Sequence, residues 1–209
     1  MVTLAFQTAF GPAEIALIVG EGANAPVVTR IDHAAGAGPE ARLPRLLEAA
    51  LAEGGVRIGD VTRIGVVAGP GSFTGLRMGL AFARGLGLVL GCPVLGVSLL
   101  EACLPVGETR RLQIALQAQK RPPDITFWSQ DFEAGAAVSP PIERSLDALG
   151  SVASDILTDR PDLIDGSIGG AEPLASYAAA WAVGRRAPDH PPSPVYVRAP
   201  DAVLPPTSA

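Results

Sequence analysis

The stretch GPGSFTGLRMGLAFARGLG, Gly69–Gly87, is the most informative part of this chain, because it begins as a glycine-rich loop and continues as a glycine-marked helix. The run Val61–Ala68 before it is rich in β-branched residues and predicts a buried strand. A strand, a glycine loop and a helix N-terminus in that order form the usual geometry for holding an anion. The stretch therefore predicts either a phosphate site or a helix that another backbone approaches closely.

The loop lacks the strict phosphate-binding motifs. Gly69, Gly71, Ser72 and Thr74 could offer backbone N–H groups and hydroxyls to a phosphate. A P-loop, however, ends in Gly-Lys followed by Ser or Thr, whereas this loop continues as Gly-Leu-Arg. A dinucleotide fingerprint would need a third glycine where the chain has Thr74. A helix-capping role for Ser72 explains the loop better than tight phosphate binding does. The loop is therefore interpreted as a vestigial phosphate loop at most.

The helix after the loop carries a stripe of small residues. Gly75, Gly79, Ala83 and Gly87 recur every four positions and fall along one face. Each glycine inside a helix costs about 0.8–1.0 kcal/mol relative to alanine, so the stripe needs a compensating gain. Close approach by a partner's backbone would supply it; the alternative is that the stripe packs on the chain's own sheet.

The remaining side chains of this helix are apolar on nearly every side, Leu76 and Leu80 among them, and such a helix is expected to be buried on nearly every side. A preceding helix, PEARLPRLLEAALAEGG, places Leu43, Leu46 and Leu47 on one face at helical spacing. We expect one side of the glycine helix to pack on its own sheet. The other side is covered either by the preceding helix and a neighbouring domain or by a second protein chain.

The rest of the chain indicates a mixed α/β protein. The further predicted elements are strands 2–8, 14–19, 26–31, 93–97, 112–117, 124–132 and 194–198 and helices 98–102, 142–149 and 174–186. The first three strands have short connections and predict an antiparallel meander. We predict an N-terminal lobe over residues 1–106, a smaller C-terminal lobe over 107–190, and a strand and tail over 191–209 that return to the first lobe.

Composition excludes several functions. The net charge is −5 and no run of lysine or arginine occurs, so strong nucleic-acid binding by this chain alone is not expected. The two cysteines form no CxxC pair, and the uncharged stretch Gly85–Leu100 is too short to span a bilayer. These features favour a cytoplasmic protein. His33 and His190 are the only histidines, so no HxxxH pair exists and neither a metal site nor a metalloprotease is expected.

The segment GPGSFTGLRMGLAFARGLGLVLGCPVLGVSLLEA, Gly69–Ala102, resembles the hallmark region of the TsaB (YeaZ) family. That family has a GPGSFTGxR loop, a glycine-marked helix and a strand leading to GVSxLEA, and this chain matches the pattern without a gap. The ending PSPVYVRAPDA and the three-strand opening also fit the family.

The resemblance implies the ASKHA fold of actin, sugar kinases and Hsp70, with two lobes that each contain a mixed sheet and flanking helices. It also implies a non-catalytic subunit that binds the enzyme TsaD, with the ATPase TsaE assisting. The complex transfers threonylcarbamoyl to the adenosine next to the anticodon in tRNAs that read ANN codons. The resemblance further implies a homodimer when TsaD is absent, contact with tRNA only through the complex, no membrane, and no tightly bound cofactor. Whether a nucleotide binds at the partner interface stays open.

The resemblance also implies roles for particular residues. The partner interface would comprise Leu43, Leu46, Leu47, Gly75, Leu76, Gly79, Leu80, Ala83 and Gly87. Gln7 and Gln117 stand where ASKHA ATPases carry aspartates. Because glutamine is neutral, it neither holds Mg²⁺ well nor acts as a general base. An independent ASKHA small-molecule kinase or ATPase is the alternative function, and these two glutamines argue against it.

Overall fold

The computed structural model of the chain describes residues 1–20, 25, 27–32, 39–105, 107–119, 125–149, 155–171, 174–185 and 189–197. His33 and the predicted tail beyond residue 197 lie outside this range, so the expectations for them stay predictions.

The first sheet has five strands in the order β3-β2-β1-β4-β5. They are β1 Val2–Gln7, β2 Ala13–Val19, β3 Val27–Asp32, β4 Arg63–Gly69 and β5 Val94–Ser98. The first three form the predicted antiparallel meander, and β4 and β5 run parallel to β1. Every residue of β1 is buried, as expected of a central strand covered on both faces.

Two helices cover one face of this sheet. Helix α1, Pro39–Gly54, and helix α2, Phe73–Leu90, contribute to the same core cluster as one face of β1, β2 and β4. Helix α2 begins after Ser72, whose side chain accepts a hydrogen bond from the Gly75 N–H, and ends at Gly91 with φ 64°. The apolar sequence and these two caps account for a helix at this position.

The second sheet also mixes parallel and antiparallel pairs, so the expected architecture of two mixed sheets is confirmed. Its strands are β6 Leu112–Gln119, β7 Thr126–Glu133, β8 Ala136–Ala137, β9 Ile142–Ser145, β10 Asp155–Thr158 and β11 Gly169–Gly170. The order is β11-β10-β6-β7-β8, with β9 also paired to β7. A one-turn helix, α3 Leu146–Leu149, follows β9.

One hydrophobic core cluster lies between the two sheets. A single cluster joins Ala5 and Val67 of the first sheet to Leu116 and Phe132 of the second. Helix α4, Ala175–Val183, belongs to the same cluster and packs on β1, β2 and β4. The predicted C-terminal lobe included this helix, yet the helix packs on the first sheet. The lobe boundaries themselves stay a prediction.

Three predicted elements differ from the structure. Residues 142–149 were expected to be a helix, but pairing with β7 makes the first half a strand. Where a helix was expected over residues 98–102, Ser98 ends β5 and a 3-10 turn covers Glu101–Cys103. The described part of the predicted final strand, residues 194–197, is not a strand; of these residues, Pro194 has no N–H to donate to a ladder.

Helix α2 is long and apolar enough to cross a membrane, judged by length and composition alone. A core helix of an α/β domain passes the same test. Leu76, Leu80 and Ala83 of this helix are buried and lie in the same core clusters as residues of the sheet, so we assign α2 to the domain.

Candidate functional site

The turn between β1 and β2 packs against the glycine-rich loop and forms hydrogen bonds with it. The Ser72 N–H donates to the Ala9 carbonyl at 2.7 Å, and the Thr8 hydroxyl donates to the Gly75 carbonyl at 2.7 Å. A Cβ at Gly71 would lie 2.5 Å from the Ala9 oxygen. These glycines therefore admit the backbone of the same chain. The geometry agrees with a Ser72 helix cap better than with a phosphate site.

Gln7 closes that turn with its side-chain amide. It is buried, and its Oε1 accepts from the N–H groups of Ala9 at 2.7 Å and Phe10 at 3.0 Å. Its Nε2 donates to the Phe10 carbonyl at 2.6 Å. An ionised carboxylate could not make the last bond, because it has no hydrogen to donate. A turn that needs both a donor and an acceptor explains glutamine at this position.

The guanidinium of Arg160 lies beside the other glutamine, Gln117. The Gln117 Oε1 accepts from Nη1 of Arg160 at 2.6 Å, and the Gln117 N–H donates to Asp159 at 2.8 Å. Arg160 also donates to Asp162 at 2.6 Å and 2.8 Å. This pairing raises the pKa of Arg160 and lowers the pKa of Asp162. A guanidinium beside Gln117 would repel a magnesium ion.

Sequence reasoning missed these partners of Gln117. The only signal was the charge-rich run at the end of β10, TDRPD, Thr158–Asp162. Within the ranges that the structure describes, no group of three or more His, Cys, Asp and Glu side chains could hold a metal ion.

The stripe of small residues faces the interior. Gly75, Gly79, Ala83 and Gly87 are all buried. A Cβ at Gly79 would overlap the Thr8 hydroxyl, and one at Gly87 would overlap the Val94 side chain. The stripe therefore serves contacts within the chain. This corrects the expectation that a partner's backbone approaches it.

The predicted interface leucines are also internal. Leu43, Leu47, Leu76 and Leu80 are between 0% and 7% exposed, and Leu46 is half-buried. The correction has the same physical reason, since α1 and α2 form one layer on the sheet and turn their apolar residues inward. A partner that docks on this layer would contact its opposite side.

The opposite side of α2 is exposed and partly apolar. Its residues, called here the outer face of α2, are Phe73, Arg77, Ala81, Arg84, Leu88 and Val89. Leu88 and Val89 are 85% and 82% exposed. The Arg77 guanidinium lies 3.6 Å from the centre of the Phe73 ring, which is a cation–π contact. The two arginines were the sequence signal for this side, but the helix was expected to be buried on nearly every side.

The fold is that of known proteins. YeaZ from Pseudomonas aeruginosa superposes with a TM-score of 0.69 and 20% identity, covering 93% of this chain and 99% of that one. The chain has the YeaZ fold. A second structure, described as an uncharacterized protein with similarity to peptidase YeaZ from Pseudomonas aeruginosa, gives a TM-score of 0.70 and 20% identity, covering 94% and 99%. The expected ASKHA fold class is thereby confirmed, as is the resemblance to YeaZ.

Sequence comparisons identify two further groups of relatives of this YeaZ-like chain. Residues 34–118 match the family model of TsaD, tRNA N6-adenosine threonylcarbamoyltransferase. The enzyme of that name from Tropheryma whipplei is 48% identical over 56 residues, 27% of this chain and 14% of its own. Uncharacterized proteins of Mycobacterium tuberculosis and Mycobacterium bovis are 34% identical over 146 residues, 69% of this chain. The match spans 65% of the length of those mycobacterial proteins.

Proposed function

We propose that the chain is a non-catalytic subunit that binds TsaD, assisted by TsaE, and supports transfer of threonylcarbamoyl to tRNA. The YeaZ fold and the match of residues 34–118 to the TsaD family support this role, as does the hallmark segment from Gly69 to Ala102. The acceptor would be the adenosine next to the anticodon in tRNAs that read ANN codons. The tRNA would reach this chain only through the complex, in the cytoplasm.

The observation that carries the proposal is an exposed helix face beside a loop that is already filled. The loop N–H of Ser72 is bonded to Ala9, Gln7 is bonded within its turn, and Arg160 is bonded to Gln117. The core between the sheets is continuous. A phosphate-transferring ASKHA enzyme would need free loop N–H groups and metal-binding carboxylates, and internal hydrogen bonds occupy these positions here. The outer face of α2, by contrast, stays exposed.

That face suits a protein partner. Leu88 and Val89 present adjacent aliphatic side chains at the end of α2, and Phe73 is 47% exposed at its other end. Arg77 and Arg84 lie between these ends, so an apolar partner surface with acidic groups near its middle would be complementary. TsaD would occupy this face in the complex, and a second copy of the chain would occupy it when TsaD is absent.

Val89→Glu is expected to weaken binding to TsaD about tenfold or more, because a carboxylate buried without a partner costs well above the 1.4 kcal/mol that corresponds to tenfold. Calorimetric titration of TsaD from the same organism would measure the affinity. Sedimentation of the variant alone would report whether the homodimer is lost as well. Val138→Glu is the matched control, since Val138 is 53% exposed and follows β8 of the second sheet.

Equal TsaD affinities for Val89→Glu and Val138→Glu would remove the outer face of α2 from the interface. Absence of any binding between TsaD and the unmodified chain would reject the proposed function itself.

The isolated chain is expected to show no sustained Mg²⁺-dependent hydrolysis of ATP. The reason is that Gln7 and Gln117 supply no carboxylate and are held by internal hydrogen bonds. Phosphate release from the purified chain, with and without TsaD and TsaE, would test this. Turnover by the chain alone that is abolished by Ser72→Ala would instead favour a small-molecule kinase or ATPase.

A further inference from the structure

The segment of residues 189–197, called here the strap, returns to the first sheet after α4. The His190 carbonyl accepts from the Gly96 N–H of β5 at 3.0 Å, and the Val195 N–H donates to the Ala68 carbonyl at 2.7 Å. The Tyr196 ring lies 5.8 Å from the Phe73 ring, between centres. The strap thus bonds to the outer edge of β5 at Gly96 and to β4 at Ala68, and it ends beside the start of α2.

The sheet is shaped to receive this segment. A Cβ at Gly96 would lie 2.6 Å from the Pro191 oxygen, and one at Gly69 would lie 2.5 Å from the Val195 oxygen. Gly69 also has a positive φ of 117°, which by itself favours glycine. Gly96 has no positive φ, and glycine within a strand weakens it. The approach of the strap is therefore the structural reason for glycine at position 96.

The strap is nevertheless held by few interactions. None of its residues is buried, and Arg84 reaches it only through a hydrogen bond to the Pro192 carbonyl. A groove of about 310 Å³, lined in part by Ser98, Glu101 and His190, separates part of it from the sheet. Segments with little buried apolar surface open at low free energy. The prolines stiffen the strap, so docking costs it less conformational entropy.

We propose that the strap opens and closes on the first sheet as one unit while the rest of the chain stays folded. In the closed form it covers the outer edge of β5, which an open form would leave without a hydrogen-bonding neighbour on that side. Opening also withdraws Tyr196 from Phe73. Because Phe73 belongs to the outer face of α2, the state of the strap changes one end of that face. The inference holds whether or not TsaD is the partner.

Amide hydrogen exchange of the full chain, followed residue by residue by NMR, tests the strap. In the unmodified chain the Gly96 and Val195 amides should exchange at matching opening free energies, well below those of the central strands β1 and β4. Gly96→Ala should speed exchange at Val195 about tenfold or more, because the added carbon displaces the Pro191 carbonyl. The central strands should keep their protection.

Gly85→Ala is the matched control, because a Cβ at Gly85 meets nothing within 4 Å; exchange at Val195 should not change there. Tyr196→Ala provides a second variant with no risk to the core, since Tyr196 is exposed, and it should also speed exchange at Val195. Unchanged protection of Val195 in both strap variants would overturn the proposal. Val195 exchanging as slowly as β1 in the unmodified chain would overturn it too.

Discussion

Gly79→Leu is expected to lower the melting temperature of the isolated chain by about 6–12 °C, the shift that about 3 kcal/mol produces in a chain of this size. The Cβ alone would overlap the Thr8 hydroxyl, and three further carbon atoms would have to enter the same contact between α2 and the turn after β1. Overpacking of a core typically costs about 1–3 kcal/mol. The gain in helix propensity, under about 1 kcal/mol, is too small to offset it.

Gly85→Leu on the same helix is the control for propensity. A Cβ there meets nothing within 4 Å, so the melting temperature should stay the same or rise. A double-mutant cycle would identify the contact. Combined with Thr8→Ala, which removes the obstructing hydroxyl, the smaller change Gly79→Ala should cost about 1 kcal/mol less than it does alone. An unchanged melting temperature for Gly79→Leu together with lost partner binding would return the glycine stripe to the interface.

The glycine stripe illustrates what the sequence could and could not determine. Spacing places Gly75, Gly79, Ala83 and Gly87 on one face and requires something to approach closely. Spacing does not say whether a partner protein or another part of the same chain approaches. That depends on the turn after β1, where Thr8 contacts α2 through tertiary structure alone. The exposed Leu88 and Val89 were missed for a related reason, since an apolar helix end resembles a core helix in sequence.

Some strands could likewise be predicted from the sequence and others could not. The meander β1–β3 was predictable because short turns separate well-patterned runs. Strands β8 and β11 have two residues each and β10 has four, too few for periodicity to be read. They exist because neighbouring strands offer hydrogen bonds. The sequence shows neutral glutamines at positions 7 and 117, but the Arg160 guanidinium beside Gln117 comes from a distant segment that no local pattern connects to it.

The position of α4 depends on charged groups of the first sheet. At its C-terminal end, Nη1 of Arg63 donates to three carbonyls, those of Ala182 at 2.6 Å, Val183 at 3.0 Å and Arg185 at 2.6 Å. At its N-terminal end, a carboxylate oxygen of Glu14 accepts from the Ala175 N–H at 3.0 Å. Both charges have the sign that the helix dipole favours. The first sheet therefore holds α4 at both ends, although α4 follows the second sheet in sequence.

Arg63→Met should accordingly lower the free energy of unfolding by about 3 kcal/mol, at the upper end of the range for hydrogen bonds to a charged group. Methionine keeps the aliphatic stem in place, so the loss reports on the guanidinium and the carbonyls that it leaves without a donor. Urea unfolding would measure the change. Arg57→Met is the matched control. The Arg57 side chain is 89% exposed and, among the residues that the structure describes, forms an ion pair only with Asp60, at 3.4 Å. The loss in this control should therefore stay within about 0.5 kcal/mol. In Arg63→Met the amides of α4 should also exchange faster than those of β1, because the helix loses one of its two charged caps. Similar unfolding midpoints for the two methionine variants would mean that packing alone holds α4 on the first sheet.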